Sequence, residues 1–334
     1  MIVLIISDDL KFGVLISFKH LAHDGWETVK SLTLKLERLG YHTVWLGDHF
    51  AKGGYRLESW TTLSALSTIT HTIRLGPLVL CNSFRIPSLV AKMAATLDVI
   101  SGGRLEFGIG AGFHWPEYDA YGVPFPKLSV RTAQLNEALE IITRMWTEEK
   151  PSYTGKYYQI REAVCEPKPI QKPHPPITIG GGNEKYTLKL VAKYADRWDF
   201  SLPVEIYKLK LDALKKHCSR IGRDFREVEK SCFFTNVGVY SNERELMKSM
   251  NRIYKMEGRR VYDRMEGTIP FVDWLNEVRV RSIIGTRDEC IERIKEYMKA
   301  GVTNFILRFV ESSAKKADLP LKRFKEGVID SLTK

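Results

Sequence analysis

The sequence contains no long apolar segment. Its 334 residues are 44% hydrophobic and 27% charged, but no apolar run approaches the roughly 18 to 20 residues that a helix needs to cross a bilayer. Residues 1–6 lack the basic start and the cleavage site of a secretory signal peptide. These absences argue against a membrane or secreted protein. We expect a cytoplasmic protein with a core large enough for one big domain or two small ones.

Cysteine is scarce. The five cysteines are an odd number, widely spaced and without a CxxC pair, which argues against a metal cluster or a redox disulfide. We expect reduced, partly buried thiols. His20 and His23 are spaced HxxH but have no third ligand nearby in the sequence, so no metal site is expected. The cysteines are Cys81, Cys165, Cys218, Cys232 and Cys290.

Blocks of like charge are also absent. Lysine and arginine number 51 against 40 acidic residues, a formal net charge of +11, but bases and acids are interleaved along the chain. A nucleic-acid-binding protein typically carries a basic tract or stripe, so no nucleic-acid partner is expected. Dispersed positive charge instead favours a small anionic ligand.

One structural unit repeats along most of the chain. Short β-branched and apolar runs alternate with longer segments of helical period, which is typical of parallel strands joined by crossover helices. Eight such strands in 334 residues predict an α/β fold of the (β/α)8 TIM-barrel type. The predicted strands are residues 12–18, 43–47, 75–81, 105–110, 177–179, 198–202, 232–240 and 304–310.

Three segments interrupt this alternation, and we interpret them as insertions. The second holds a hairpin-like stretch at 153–160 and a proline-rich stretch at 167–176 that cannot form a helix. The third is charged, contains Pro270 and delays the last strand. We therefore expect a single barrel domain over residues 1–334. The insertions lie at about 113–128, 151–176 and 248–282.

A doubly wound sheet with a dinucleotide-binding turn is the alternative fold. Gly108, Gly110 and Gly112 have the spacing GxGxG, but the next helix is predicted only near Ser129. No helix N-terminus would then lie where a pyrophosphate needs one. The barrel is therefore favoured.

In such a barrel, residues at the C-terminal ends of the strands face the active site. His49 can exchange a proton near neutral pH, and Asp48 can accept hydrogen bonds from a polar ligand. A lone histidine in a loop is, however, more often structural. Most residues at the predicted strand ends are small or polar and do not suit a barrel core. They are Asp48, His49, Cys81, Asn82, residues 111–114, residues 180–183 and Ser201.

The run GGGN at 180–183 precedes a helix predicted over 183–194. Its backbone N–H groups and the helix dipole would suit a phosphate. A tight strand-to-helix turn with Asn183 as N-cap is the alternative, and three consecutive glycines favour close approach of a ligand. Three tryptophans can either line a pocket for a flat ring or pack in the core. These tryptophans are Trp45, Trp115 and Trp198.

Six stretches together resemble a known superfamily. Residues 43–50 (TVWLGDHF), 95–104 (ATLDVISGGR), 108–112 (GIGAG) and 177–182 (ITIGGG) resemble the bacterial luciferase-like superfamily. The similarity runs in order over roughly residues 12–310. Two further runs look like the branch that uses the 5-deazaflavin coenzyme F420. They are residues 117–125 (EYDAYGVPF) and 168–176 (KPIQKPHPP).

The resemblance implies a barrel with insertions, usually a homodimer, that binds a flavin or deazaflavin at its C-terminal mouth. In deazaflavin members, a bulge at the end of strand three contains a non-prolyl cis peptide behind the ring. Here that bond would lie near Leu78 and Val79. The other cofactor contacts implied by the resemblance are Asp48 and Cys81 at the ring, Ala111 and Gly112 beside it, and Gly180, Gly181, Gly182 and Asn183 at the phosphate.

The sequence lacks two residues that the sugar-phosphate dehydrogenases of this superfamily carry. Those dehydrogenases pair the histidine that matches His49 with a glutamate just after the strand-four glycines, where this chain has Phe113. Glu117 is a candidate substitute if its loop folds back. The tryptophan that those enzymes have shortly after the histidine is also missing. Both departures weaken the case for a sugar-phosphate substrate.

These observations lead to one expected function and two alternatives. We expect an oxidoreductase that moves a hydride between a small organic substrate and F420, with His49 as proton donor or acceptor. One alternative is an FMN-dependent luciferase-like monooxygenase. The other is a flavin-binding protein without catalysis, which Phe113 in place of the acid suggests. The substrate cannot be predicted because the insertions that would form its pocket have no predictable conformation.

Overall fold

The computed structural model describes residues 10–16, 25–50, 56–257, 270–309 and 318–333. Within them, strands alternate with helices. The strands are β1 (Lys11–Ile16), β2 (Thr43–Leu46), β3 (Arg74–Pro77), β4 (Leu80–Cys81), β5 (Phe107–Gly110), β6 (Tyr153–Thr154), β7 (Gln159–Ile160), β8 (Ile177–Gly180), β9 (Arg197–Asp199), β10 (Glu229–Val239), β11 (Ile283–Gly285) and β12 (Asn304–Phe309). The helices are α1 (Gly25–Arg38), α2 (Ser59–Ser67), α3 (Pro87–Ile100), α4 (Trp115–Ala120), α5 (Leu128–Thr147), α6 (Thr187–Tyr194), α7 (Val204–Arg220), α8 (Glu243–Glu257), α9 (Phe271–Val280), α10 (Arg287–Lys299), α11 (Asp318–Phe324) and α12 (Asp330–Leu332).

The main sheet is a parallel barrel. Its strands follow the order β3-β2-β1-β12-β10-β9-β8-β5-β4, and β11 pairs with β10. β3 and β4 share one barrel position because they are two halves of the predicted third strand. A parallel bridge between Leu75 and Leu105 brings the two ends of the sheet together. The predicted (β/α)8 barrel is therefore confirmed.

The third strand is split where the resemblance places a bulge. It was predicted as one run over 75–81, but it is interrupted between β3 and β4. The peptide bond between Leu78 and Val79 at this interruption is cis. The resemblance implied this bond, and the structure contains it.

The helix after the fifth strand position begins later than predicted. It was expected over 183–194 but begins at Thr187. Residues 184–186 form a turn, in which the Asn183 side chain accepts the Tyr186 N–H at 3.0 Å. Asn183 therefore closes a turn ahead of the helix, because its short amide side chain competes with helical pairing.

Local sequence signals set the ends of α10. The Thr286 side chain accepts the Glu289 N–H, and the Glu289 side chain accepts the Thr286 N–H. This reciprocal pair satisfies two N–H groups that the helix itself leaves unpaired. The chain then turns at Gly301, whose φ of 90° favours glycine.

Two tryptophans predicted as possible pocket walls belong to the core. Trp45 is fully buried, and a Cβ at Gly13 or Gly76 would lie 2.5 or 2.7 Å from its indole atoms. It therefore fills the barrel interior between β1 and β3. Trp198 is also fully buried and stacks on Tyr207 with ring centroids 4.8 Å apart. Packing is the role observed for both.

The N-terminal end of the barrel is filled by ion pairs. Arg197 donates to Glu106 at 2.6 Å and to Glu229 at 2.5 Å, Arg74 pairs with Glu106, and Lys11 pairs with Glu229 at 2.8 Å. Burial by itself raises the pKa of Glu106, but Arg197 and Arg74 outweigh it and lower the pKa to about 2. This end is therefore closed by charged side chains that neutralise one another.

The insertions carry structure of their own. β6 and β7 form the predicted hairpin, and the proline-rich stretch at 167–176 contains no helix. In the third insertion, α8 and α9 share a small apolar cluster, and residues 258–269 lie outside the described part of the chain. The buried members of this cluster are Leu246, Met250, Trp274 and Leu275. That the chain forms one domain stays a prediction.

The cysteines and the helices bear on the classes of protein that the sequence argued against. All five cysteines are free, and all five are buried, where partly buried thiols were expected. Across the described ranges, no helix is both long enough and apolar enough to cross a membrane.

Candidate active site

The C-terminal end of the barrel is lined by backbone on one side. Side chains alternate along a strand, so residues two positions apart share a face. Gly47 lies two residues beyond the interior Trp45, and Gly110 and Gly180 end β5 and β8. A Cβ at Gly110 or Gly180 would lie 2.9 or 3.2 Å from a Val79 methyl carbon. The glycines and Val79 therefore meet at the mouth, where the glycines add no side-chain bulk.

A histidine and a glutamate are paired at this mouth. His49 Nδ1 lies 2.7 Å from Glu117 Oε2, and the Phe50 N–H donates to Glu117 Oε1 at 2.7 Å. The Glu117 side chain is 3% exposed and the His49 side chain 20%. The segment that carries Glu117, which forms α4 here, thus folds back onto the end of β2. The sequence analysis made this folding back the requirement for Glu117 to replace the missing acid. Nδ1 is therefore the imidazole nitrogen that faces the Glu117 carboxyl group, and a carboxylate there would hold the hydrogen on Nδ1.

Aromatic rings surround the imidazole. The rings of Phe113 and His114 each approach His49 edge-on, with centroids 5.7 Å away. Phe113 is 67% exposed, and it occupies the sequence position of the glutamate in the sugar-phosphate dehydrogenases. The acid next to His49 is instead supplied by α4.

Asp48 is enclosed by protein donors. Its carboxylate accepts the Ser59 hydroxyl at 2.9 Å and the Cys81 N–H at 2.8 Å. Both terminal nitrogens of Arg85 donate to it at 2.8 and 2.9 Å. The side chain has no exposed surface. Asp48 therefore ties the ends of β2 and β4 together, and its contact with the cofactor stays a prediction.

Cys81 and Tyr118 form a buried contact behind the mouth. Cys81 Sγ lies 2.9 Å from the Tyr118 hydroxyl, which also donates to the Ala111 carbonyl at 3.4 Å. Burial raises the pKa of Cys81 to about 11 and also raises the pKa of Tyr118. Both groups are neutral at physiological pH, so Cys81 is not a thiolate nucleophile. A Cβ at Gly112 would lie 1.9 Å from the Tyr118 oxygen.

Some backbone N–H groups of the turn at 180–183 make hydrogen bonds within the described part of the protein and others do not. The Gly181 N–H donates to the Asp199 carbonyl at 3.2 Å, which uses one of the amides expected at a phosphate. Among the described residues, no acceptor takes the N–H of Gly182 or Asn183. Because α6 begins only at Thr187, the expectation that a helix directly follows the glycines is wrong. Two amides, rather than a helix end, are what this turn offers an anion.

Two residues of this region escaped the sequence analysis. Arg85 contacts Asp48 and Tyr118 contacts Cys81, but Arg85 lies in a loop and Tyr118 in a short helix that the sequence did not predict. No local motif distinguishes Arg85 from a surface arginine. Two positions that the sequence proposed for the site have other surroundings: Asn82 donates to the Tyr158 hydroxyl at 3.3 Å, and the Trp115 side chain is 55% exposed.

Metal ligands do not cluster in the region. Within the ranges that the structure describes, no three His, Cys, Asp or Glu side chains form a group able to hold a metal ion. His20 and His23 lie outside those ranges.

Comparison with known proteins gives a family and relatives that align over most of the chain. A family model described as luciferase-like monooxygenase matches residues 10–304. A protein of Amycolatopsis mediterranei named F420-dependent glucose-6-phosphate dehydrogenase is 26% identical over 322 residues, covering 90% of this chain and 92% of that protein.

Solved structures share the fold. Monooxygenase RslO1 from Streptomyces bottropensis superposes with a TM-score of 0.81 and 21% identity, covering 96% of this chain and 99% of that chain. The coenzyme F420-dependent tetrahydromethanopterin reductase from Methanopyrus kandleri has a TM-score of 0.74 and 21% identity, covering 97% and 99%. At these identities the likeness concerns the barrel itself.

Proposed function

The chain belongs to the luciferase-like monooxygenase family, and from this we propose that it is an oxidoreductase that transfers a hydride between a small organic substrate and coenzyme F420. The relative named F420-dependent glucose-6-phosphate dehydrogenase, which aligns over 90% of the chain, supports F420 over FMN. The observation that carries the proposal is the His49–Glu117 pair beside the glycine-lined mouth. Hydride transfer from an alcohol carbon requires a partner that takes the hydroxyl proton.

The residues at the mouth fit a flat ring with a phosphate-bearing tail. Val79 and the glycine ends of β5 and β8 provide a surface without protruding side chains. Gly112 and Ala111 would lie beside the ring, with Cys81 behind them. The amides of Gly182 and Asn183 would hold the phosphate. Bound there, F420 supplies a two-electron centre that accepts or returns a hydride.

The protein's part in the reaction centres on His49. In the oxidation direction, the substrate C–H bond breaks with its electron pair leaving as hydride. The hydroxyl proton passes to His49 Nε2 and a carbonyl forms. Glu117 holds Nδ1–H at 2.7 Å and stabilises the imidazolium without taking the proton itself. In the reverse direction, the same Nε2 returns a proton to the oxygen.

Two alternatives predict different behaviour. An FMN-dependent monooxygenase would consume oxygen, which a deazaflavin activates poorly. A binding protein without catalysis was suggested by Phe113, but the chain supplies an acid to His49 from α4 instead. The pair thus favours catalysis over binding alone.

The cofactor assignment is tested by binding. Purified protein is titrated with F420 and with FMN, and binding is followed by fluorescence quenching. We expect F420 to bind at least about tenfold more tightly than FMN. Bound F420 should then lose the absorbance of its oxidised form when a suitable alcohol is added without oxygen. Tight FMN binding with oxygen uptake, or binding with no reduction by a broad panel of donors, would overturn the proposal.

The molecule is proposed to be a homodimer joined through the outer face of α3. The sequence resemblance implies a dimer, and large apolar side chains are exposed at both ends of α3: Ile86, which precedes the helix, Leu89 and Ile100 are 65%, 54% and 52% exposed. Large exposed apolar side chains are typical of an interface. The cytoplasmic location stays a prediction from the sequence.

A further inference from the structure

The Asp48 carboxylate joins three segments at the barrel mouth. Its Oδ1 accepts the Ser59 hydroxyl at 2.9 Å and Arg85 Nη2 at 2.9 Å. Its Oδ2 accepts the Cys81 N–H at 2.8 Å and Arg85 Nη1 at 2.8 Å. These donors fill the roughly four lone-pair sites that a carboxylate offers. Asp48 therefore holds α2, β4 and the segment before α3 to the end of β2.

β4 depends on this carboxylate because its backbone pairing is short. It pairs with β5 over its two residues, whereas β2 pairs with β3, up to Pro77. After that point the Leu78 N–H donates to the Leu46 carbonyl at 2.8 Å. The Cys81 N–H is then taken by the Asp48 side chain rather than by a backbone carbonyl. The carboxylate thus continues the attachment of the third barrel strand to β2 beyond the end of the backbone ladder.

Val79 lies between these two attachments. A Cβ at Gly110 or Gly180 would lie 2.9 or 3.2 Å from a Val79 methyl carbon, so this side chain belongs to the mouth surface proposed to face the ring. Its place is set by Leu78 before it and by β4 after it. A shift of β4 would therefore change the surface that the cofactor meets.

Arg85 holds the buried carboxylate in one orientation. The Asp48 side chain has no exposed surface and that of Arg85 is 13% exposed, so the charge of Asp48 would be unfavourable without this partner. Arg85 Nη2 also donates to Glu58 Oε1 at 2.6 Å, and Glu58 accepts the Thr61 N–H at 2.7 Å at the start of α2. Burial by itself lowers the pKa of Arg85, but Asp48 and Glu58 outweigh it and raise that pKa. The guanidinium is therefore charged and fixed between two acids.

From these contacts we infer that Arg85 is a positioning residue for the cofactor. It orients the Asp48 carboxylate, which holds β4 through the Cys81 N–H. Val79 is thereby kept in the surface against which the F420 ring lies. Arg85 takes no part in proton or hydride transfer, and its effect passes through Asp48. The inference rests on the proposed function in taking F420 as the ligand.

The first test needs no cofactor. Amide hydrogen exchange, followed by mass spectrometry of peptides that cover residues 78–84, compares the wild type with Arg85→Gln and Arg85→Lys. We expect exchange in this segment to be at least about tenfold faster in Arg85→Gln, because the hydrogen bond of the Cys81 N–H opens more often. Arg85→Lys should retain part of the protection, since an ammonium keeps the charge but not the paired donors. Exchange that Arg85→Gln leaves unchanged overturns the inference.

Arg74→Gln is the matched control. Arg74 begins β3, at the opposite end of the same barrel strand, and its side chain is 23% exposed and pairs with Glu106. A general loss of stability would affect residues 78–84 alike in both variants, whereas positioning predicts faster exchange there in Arg85→Gln alone. Equal changes overturn the inference. If Arg85→Gln does not fold, Arg85→Lys replaces it in this comparison, with exchange expected to be about threefold faster than in the wild type.

The second test measures the Kd for F420 by fluorescence quenching, at a temperature where circular dichroism shows each variant folded. We expect Arg85→Gln to weaken F420 binding at least about tenfold and Arg74→Gln to leave the Kd within about threefold. In the Asp48→Asn background, Arg85→Gln should change the Kd by no more than about threefold, because two residues that act through one contact are not additive. Additive losses, or an unchanged Kd in Arg85→Gln, overturn the inference.

A wild type that binds no F420 contradicts the proposed function. The exchange measurement then decides by itself whether Arg85 holds β4, since it uses no ligand. Faster exchange over residues 78–84 in Arg85→Gln supports that role, and unchanged exchange overturns it.

Discussion

The chemistry of His49 depends on a carboxylate 68 residues further along the chain. In the proposed mechanism, Glu117 fixes the hydrogen on Nδ1, and Nε2 exchanges a proton with the substrate. Asp48, its neighbour in sequence, serves a different purpose because Arg85, Ser59 and a backbone amide occupy its oxygens. Two adjacent polar residues thus have separate roles, which their surroundings determine.

Replacing His49 tests its place in the mechanism. We expect His49→Ala to lower turnover about 100-fold or more, because general acid–base catalysis contributes that much, while the Kd for F420 stays within about threefold. Glu117→Gln should show a smaller loss, since the amide oxygen still accepts Nδ1–H but carries no charge. Glu227→Gln, at an acid with a 61% exposed side chain, is the control. Unchanged turnover in His49→Ala would remove this residue from the mechanism.

Gly112 tests the packing behind the mouth. Its φ is 75°, and a Cβ there would lie 1.9 Å from the Tyr118 oxygen and 2.6 Å from Cys81 Sγ. We expect Gly112→Ala to lower the free energy of unfolding by about 3 kcal/mol, from overpacking and backbone strain together. Gly222→Ala is the matched control, because Gly222 has a φ of 72° and no atom within 4 Å of a Cβ. Urea unfolding should give about 1 kcal/mol for that variant; equal losses would contradict the packing argument.

At the scale of one element, α3 carries apolar side chains both inward and outward. Val90, Ala91 and Ala94 are buried, whereas Leu89 and, just before the helix, Ile86 are exposed. A helix in a barrel's outer ring needs only its inner face for folding. We propose that the exposed side chains contact a second copy of the chain.

Changing the outer face tests the dimer. We expect Leu89→Arg to shift the protein from dimer to monomer, because a charge replaces an apolar side chain at the interface. Light scattering after size-exclusion chromatography measures the mass. Leu209→Arg is the control, at a leucine that is 66% exposed on α7. A wild type that is monomeric at all concentrations, or a dimeric Leu89→Arg, would rule out this face.

At the scale of the whole molecule, the barrel separates stability from function. The N-terminal end is closed by ion pairs among residues of several strands, including Glu106, Arg197 and Glu229. The C-terminal end exposes glycine backbone and titratable side chains. Substitutions at the two ends should therefore have different effects.

Glu106→Gln tests this division. Its folded pKa of about 2 is below the usual 4.5, so the ionised group stabilises the fold above about pH 4.5 and loses that effect as the pH falls toward 2. We expect Glu106→Gln to lower the free energy of unfolding by about 3 kcal/mol or more near pH 7, since it leaves buried arginines less compensated. Urea unfolding at several pH values should show the difference from the wild type shrinking toward low pH. A difference independent of pH would contradict the assigned cause.

Local patterns along the chain were enough to predict the barrel, the hairpin at 153–160 and the strand ends that carry His49 and Gly180. Strand periodicity, turn residues and glycine positions act over a few neighbouring residues, so they are legible without coordinates. The start of α6 was wrong by four residues because Asn183 forms a turn that competes with the helix.

The pairing of His49 with Glu117 and that of Asp48 with Arg85 could not be obtained that way. Each pairing depends on how the segment that carries the second residue folds over the barrel mouth. That folding follows from packing among residues that are distant in sequence, which no local pattern encodes. Local sequence patterns thus determine the type of fold, whereas tertiary packing in the assembled barrel determines which reactive side chains meet.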